Sequence, residues 1–137
     1  MRLAVLRLMP AAAVTAFVLV AGCGDEPTAP GIEPQITNLT DAFSYQVGSI
    51  QSFSGTYSYT WQNTGTVAKI THASDAGATG SATLTVRDAA GTQVYSGPLA
   101  TSGEPLTDPA GVPGAWAITI VYSAYSNSQV NFAVLKQ

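Results

Sequence analysis

Gly114-Ala115-Trp116-Ala117-Ile118-Thr119-Ile120-Val121-Tyr122 is the stretch that decides the fold. Its largest side chains, Trp116, Ile118, Ile120 and Tyr122, recur every second residue. A period of two places all four on one face of an extended strand, whereas a helix would scatter them around its axis. The same rhythm continues beyond the Ser126-Asn127-Ser128 turn, where Val130, Phe132 and Val134 alternate with Asn131 and Ala133.

Working back from this stretch, residues 97–114 hold Pro98, Pro105, Pro109 and Pro113 and read as a long loop with one short edge strand. Before it stand a short strand at Gln93-Val94-Tyr95 and a turn at Asp88-Ala89-Ala90-Gly91. Ala82, Leu84 and Val86 alternate with Thr83, Thr85 and Arg87. Residues 73–80 are small and polar and form a loop, and residues 67–72 a strand. Asn63-Thr64-Gly65 marks another turn. Upstream of it, Phe53, Tyr57, Tyr59 and Trp61 share a parity, as do Phe43, Tyr45 and Val47 before Gly48-Ser49. Seven or eight short strands between turn signals, with no helix of useful length, predict an all-β antiparallel sandwich over residues 36–137, of jelly-roll or immunoglobulin-like type. The expected core is Trp61, Leu84, Val86, Trp116, Ile118, Ile120, Phe132 and Val134.

The 137 residues allow one such domain. Only 9% are charged, which excludes a charge-driven disordered chain or a long solvated helix. Cys23 is the single cysteine, so the domain holds no disulfide and depends on core burial.

The N-terminus has a different character. Arg2 and Arg7 precede an uncharged run from Leu8 to Gly22. As a helix those fifteen residues would reach about 22 Å, short of a ~30 Å hydrocarbon core, so the run reads as a signal peptide over residues 1–22 rather than a membrane span. It ends in Leu19-Val20-Ala21-Gly22-Cys23, which resembles the lipobox of bacterial lipoproteins. The resemblance implies that the Cys23 thiol accepts a diacylglycerol, that cleavage falls before Cys23, and that the protein is held to the cell envelope by lipid, with the outer membrane favoured. Residues 23–35 then form a tether, in which Pro27, Pro30 and Pro34 favour extended chain and Asp25, Glu26 and Glu33 repel one another. Removing the leader leaves Lys69, Arg87 and Lys136 against eight carboxylates, a net charge of −5. Such a chain cannot neutralise a phosphate backbone, which argues against nucleic acid as a partner.

Three pieces of the domain carry a second resemblance: residues 80–91, closing on Asp88-Ala89-Ala90-Gly91, then Gly114-Ala115-Trp116 and its strand, then Val130-Asn131-Phe132-Ala133-Val134. Their order is similar to pre-peptidase C-terminal domains and related jelly-roll modules. That likeness implies an accessory or binding role and brings no catalytic residues.

The inventory for chemistry is short. His72 is the only histidine, no G-x-S-x-G elbow occurs, and one histidine cannot make a zinc site. No enzyme is therefore expected. Asp75, Asp88 and Asp108 fall in predicted loops and are the candidate calcium ligands, with ordinary turn chemistry as the alternative. Beyond the lipid and this calcium, no cofactor is expected. Tyr57 and Tyr59, beside Trp61, form either a platform for sugar rings or one end of the core, and the core is the expected outcome. Tyr125 is the aromatic expected to be exposed. The expectation is a non-catalytic binding or accessory module, with an envelope protein or a carbohydrate as ligand. The alternative is an assembly component that pairs through a sheet edge or face.

Overall fold

The computed structural model describes residues 32–74, 77–127 and 129–137. They form eight strands: β1 (Gln35–Leu39), β2 (Ala42–Val47), β3 (Ile50–Asn63), β4 (Ala68–Ser74), β5 (Thr79–Arg87), β6 (Gln93–Pro98), β7 (Gly114–Asn127) and β8 (Val130–Lys136). Two four-stranded antiparallel sheets result, in the orders β1-β2-β8-β4 and β3-β7-β5-β6. The first is called sheet A and the second sheet B. Within the proline-rich loop, residues 103–106 pair along the outer side of β4 through bridges from Lys69 to Leu106 and from His72 to Gly103. Apart from the β1–β2 and β5–β6 hairpins and the β6–β7 connection, each connection carries the chain from one sheet to the other. β6 and β7 both lie in sheet B, and the chain between them crosses to sheet A through residues 103–106 before it returns. With residues 103–106 included, this is the strand order of a jelly roll, which decides between the two sandwich types expected.

All eight expected core residues are buried. Ile32 is buried as well, and β1 begins at Gln35, so the domain reaches back into the proline tract read as tether. Ile32 belongs to the core because it is the apolar residue nearest the first strand, and a burying face takes in such a residue whatever prolines follow it.

The strands run between two ends. At the proximal end the chain arrives through Ile32, and the β2–β3 and β7–β8 connections lie there. At the distal end lie the β1–β2, β3–β4 and β5–β6 turns and the C-terminus. Two carboxylates hold the distal turns. Asp41 accepts hydrogen bonds from the Thr64 backbone N–H and the Thr64 hydroxyl, and pairs with Lys136 Nζ at 2.9 Å. Asp88 accepts from the N–H groups of Ala90 and Thr92 on one oxygen and of Val112 on the other. Between these turns Trp61 and Trp116 pack edge to face, with centroids 5.8 Å apart. Each indole N–H donates to a carbonyl, that of Leu39 or of Val112.

The proximal half is less regular. Ser52 and Ala124 both have positive φ, and the β3–β7 register slips at two places between Ile50 and Gly55. One slip adds a residue to β3 and the other adds one to β7, which is the signature of β-bulges. Neighbouring hydroxyls serve the freed backbone groups: Ser52 N–H donates to Ser126 Oγ, and Ala124 N–H to Ser54 Oγ. Gly80, at φ +73°, lies against the β7 bulge, and a Cβ there would stand 2.2 Å from the Ala124 carbonyl oxygen. Only glycine fits that approach.

Candidate functional site

The bulge at Ala124 corrects one expectation. Alternation counted from Trp116 sends Tyr125 outward, yet Tyr125 is fully buried. The extra residue reverses the parity of β7, and Tyr125 swings into the core against Tyr122. Its hydroxyl accepts from Asn127 Nδ2. Tyr45 and Tyr122 meet across the two sheets, with their hydroxyls 2.9 Å apart. Burial pushes both phenols up, Tyr122 to about 12.

Tyr57 and Tyr59 also face inward, but from β3, an edge strand of its sheet, and so remain half-buried. Tyr59 packs on Phe43 and Tyr45, and Tyr57 on Phe53 and Tyr122. With Trp61 wholly buried, this row is the rim of the core and not an exposed platform.

The candidates for chemistry serve the fold. His72 is buried on β4, where its Nδ1–H donates to the Thr101 carbonyl. Its backbone exchanges both hydrogen bonds with Gly103. It therefore fastens residues 101–103 to the sheet. Asp88 is buried and both its oxygens hold backbone N–H groups. Burial alone would raise this carboxyl, but the N–H donors outweigh it and hold the group below its ordinary value. Asp108 is exposed, and Asp75 and Cys23 lie outside the described residues. Among the described residues no three His, Cys, Asp or Glu side chains gather as a metal would require. Asp88 thus takes the turn role that was the alternative to calcium.

A concave feature among the described residues lies elsewhere, at the proximal end of sheet A's outer face. Gln35 pairs with Gln46 across β1 and β2, and Gln46 with Asn131 across β2 and β8. Three carboxamides therefore stand in one row at the ~4.8 Å interval of neighbouring strands. Glu33 and Gln129, two residues before Gln35 and Asn131 along the chain, line the same concavity with Val47 and Gly48, and the open groove has a volume of about 430 Å³. Outward-facing positions of β1, β2 and β8 hold the amides because Ile36, Tyr45, Val47, Val130 and Phe132 take the inward ones. None of the four carboxamides makes a side-chain hydrogen bond to another described residue.

Chemically, each carboxamide offers two N–H donors and a carbonyl acceptor, while Glu33 accepts only. A row of such groups suits a ligand rich in hydroxyl or amide groups and without negative charge. Aromatic residues are absent from the lining, so contact there is by hydrogen bonding and not by ring stacking. No local pattern in the sequence singles out these amides. Alternation could place Gln46 and Asn131 on an outer face, but their adjacency depends on β2 pairing with β8, more than eighty residues away.

Among known proteins, no family model and no curated sequence matches this chain.

Proposed function

We propose that this chain is a lipid-anchored lipoprotein of the cell envelope. Its jelly-roll domain acts as a non-catalytic binding module, and the amide groove takes a neutral, hydroxyl-rich ligand of the glycan class. The observation that carries this reading is the row Gln35–Gln46–Asn131, whose hydrogen-bonding groups are aligned across three strands and unused within the described domain. Amides on an outer face that keep their donors and acceptors unused toward the described protein, gathered in a concavity, suit the hydroxyls of a glycan. The structural employment of His72 and Asp88 supports a non-catalytic role.

Two measurements test the proposal. Titrating the mature protein with N-acetylated oligosaccharides should shift the side-chain NH₂ resonances of Gln35, Gln46, Gln129 and Asn131. Gln46→Ala should abolish the response with the melting temperature nearly unchanged, since a surface truncation alters stability by within about 0.5 kcal/mol. Unmoved amide resonances would overturn the ligand class. For the anchor, Cys23→Ala should prevent incorporation of labelled fatty acid; label on that variant would overturn the lipidation site.

One observation favours the assembly reading as second choice. The Thr60 and Gln62 carbonyls point away from β7 and accept from Asn38 Nδ2 and Asp41 N–H. By the two-residue period, the backbone groups of Thr56 and Ser58 point the same way, on a strand without a charged residue. That short window could accept an added strand from an envelope partner.

A further inference from the structure

We propose that the outer face of sheet A lies on the lipid bilayer. Five large apolar residues are notably exposed among the described residues: Leu39, Leu106, Val112, Val121 and Leu135. Three of them fall on one line. Leu39 pairs with Ala42, Ala42 with Leu135, Leu135 with Lys69, and Lys69 bridges to Leu106. This row crosses the whole width of sheet A at the distal end of its outer face. The leucines are 61%, 42% and 54% exposed in strand order. The one charge in the row, Lys69, is paired with Glu104 at 2.7 Å, so the line carries no net charge.

The outer face of sheet B is different. Thr56, Ser58 and Thr60 on β3, Thr119 on β7, Thr83 and Thr85 on β5 and Ser96 on β6 cover it with hydroxyls, and Val121 is its single large exposed apolar residue. One face is thus wetted by short polar groups while the other carries a leucine row.

The position of the anchor selects a lipid surface as the occupant. This inference rests on the lipidation of Cys23 proposed above. Ile32 is already buried in the core, so only the eight residues 24–31 separate Cys23 from the domain. Fully extended, they reach about 25 Å. The chain then enters β1, the edge strand of sheet A, so this sheet is the one delivered to the membrane. A single apolar row would partition weakly from bulk solution, but a tether this short keeps it at high effective concentration beside the bilayer. In that pose the amide groove, on the same face, opens at the headgroup layer, where the sugars of glycolipids lie.

The test uses the full acylated chain, purified from membranes and reconstituted into phosphatidylcholine vesicles. With Cys23 acylated, a single cysteine introduced by Thr37→Cys (outer face of sheet A) or by Ser58→Cys (outer face of sheet B) takes one nitroxide. The label at 37 should show raised collision with oxygen and lowered collision with a water-soluble nickel chelate, and the label at 58 should not. Adding L39Q, L106Q and L135Q should lower bilayer contact at 37 by about fivefold for each leucine replaced. Equal, aqueous accessibility at both positions on an acylated chain overturns the pose alone. Shielding of position 37 from both reagents points to a second protein copy on the face and overturns it too. A chain that carries no acyl group by mass spectrometry overturns the anchor, and the pose with it.

Discussion

The two ends of the sandwich are built by different means. At the distal end the long β3–β7 ladder is regular: the two strands pair without a slip from Gly55 to Asn63, two tryptophans meet edge to face, and two carboxylates pin the turns. Toward the proximal end the same strands bulge twice, two non-glycine residues take positive φ, and the core contains phenols that need partners. A regular ladder maximises burial and hydrogen bonding but fixes every side chain by parity. Bulges relax that parity and allow Tyr125 inside. The groove borders this irregular end, where the chain enters the domain through Ile32.

Removing a tryptophan should break the distal end most severely. Trp116→Ala deletes a fully buried indole and its bond to Val112, and should cost about 3–5 kcal/mol in a denaturant titration. A loss well under that would mean the distal end can collapse around the cavity.

The matched proximal change is Tyr45→Phe. It keeps the ring but leaves the Tyr122 hydroxyl buried without its partner, at an expected cost of about 1–3 kcal/mol. The phenols also set an alkaline limit. The unfolded chain ionises Tyr122 near pH 10, while the folded chain keeps its proton to about pH 12. The folded form is therefore favoured fully below pH 10 and loses this advantage as the pH rises toward 12. A pH series of melting temperatures should show that decline, with a shallower slope for Tyr122→Phe.

At the opposite extreme of pH the distal end should respond. Asp88 and Asp41 are both held below the ordinary carboxyl value of 3.8, Asp88 by backbone N–H groups that outweigh its burial, Asp41 first by the Thr64 N–H and then by Lys136. Their stabilisation is complete above about pH 4 and is lost as the pH falls below it toward the folded-state values. Asp88→Asn should lower the melting temperature at neutral pH by less than Trp116→Ala or Tyr45→Phe and flatten the decline on the acid side. An unchanged acid limb would remove Asp88 from this role.

Much of the fold was legible because period-two alternation is a local property. The Trp116–Tyr122 and Ala82–Val86 rhythms identify their strands and inward faces without any knowledge of partners. Tyr125 was misplaced because a bulge is a property of two strands together. This one falls between the Phe53–Tyr125 and Gly55–Tyr122 pairs, where Ala124 N–H donates to the Ser54 hydroxyl seventy residues away, and nothing in either local sequence announces it. The groove was invisible for the same reason. A glutamine on an outer face is unremarkable until two neighbouring strands bring further amides beside it.

The sequence by itself determined the class of structure, eight of the buried side chains and the absence of a disulfide within the domain, and it carries a segment at Cys23 that resembles a lipobox. These follow from residue chemistry and from spacings of a few positions along the chain. Only the tertiary structure decided the jelly-roll strand order, the reversal at Ala124, the employment of Asp88 and His72 in holding loops, and the amide row on sheet A. Each of those depends on which distant strand becomes a neighbour. That choice is made by the collective burial of both sheets' inner faces, a quantity no single stretch of sequence contains.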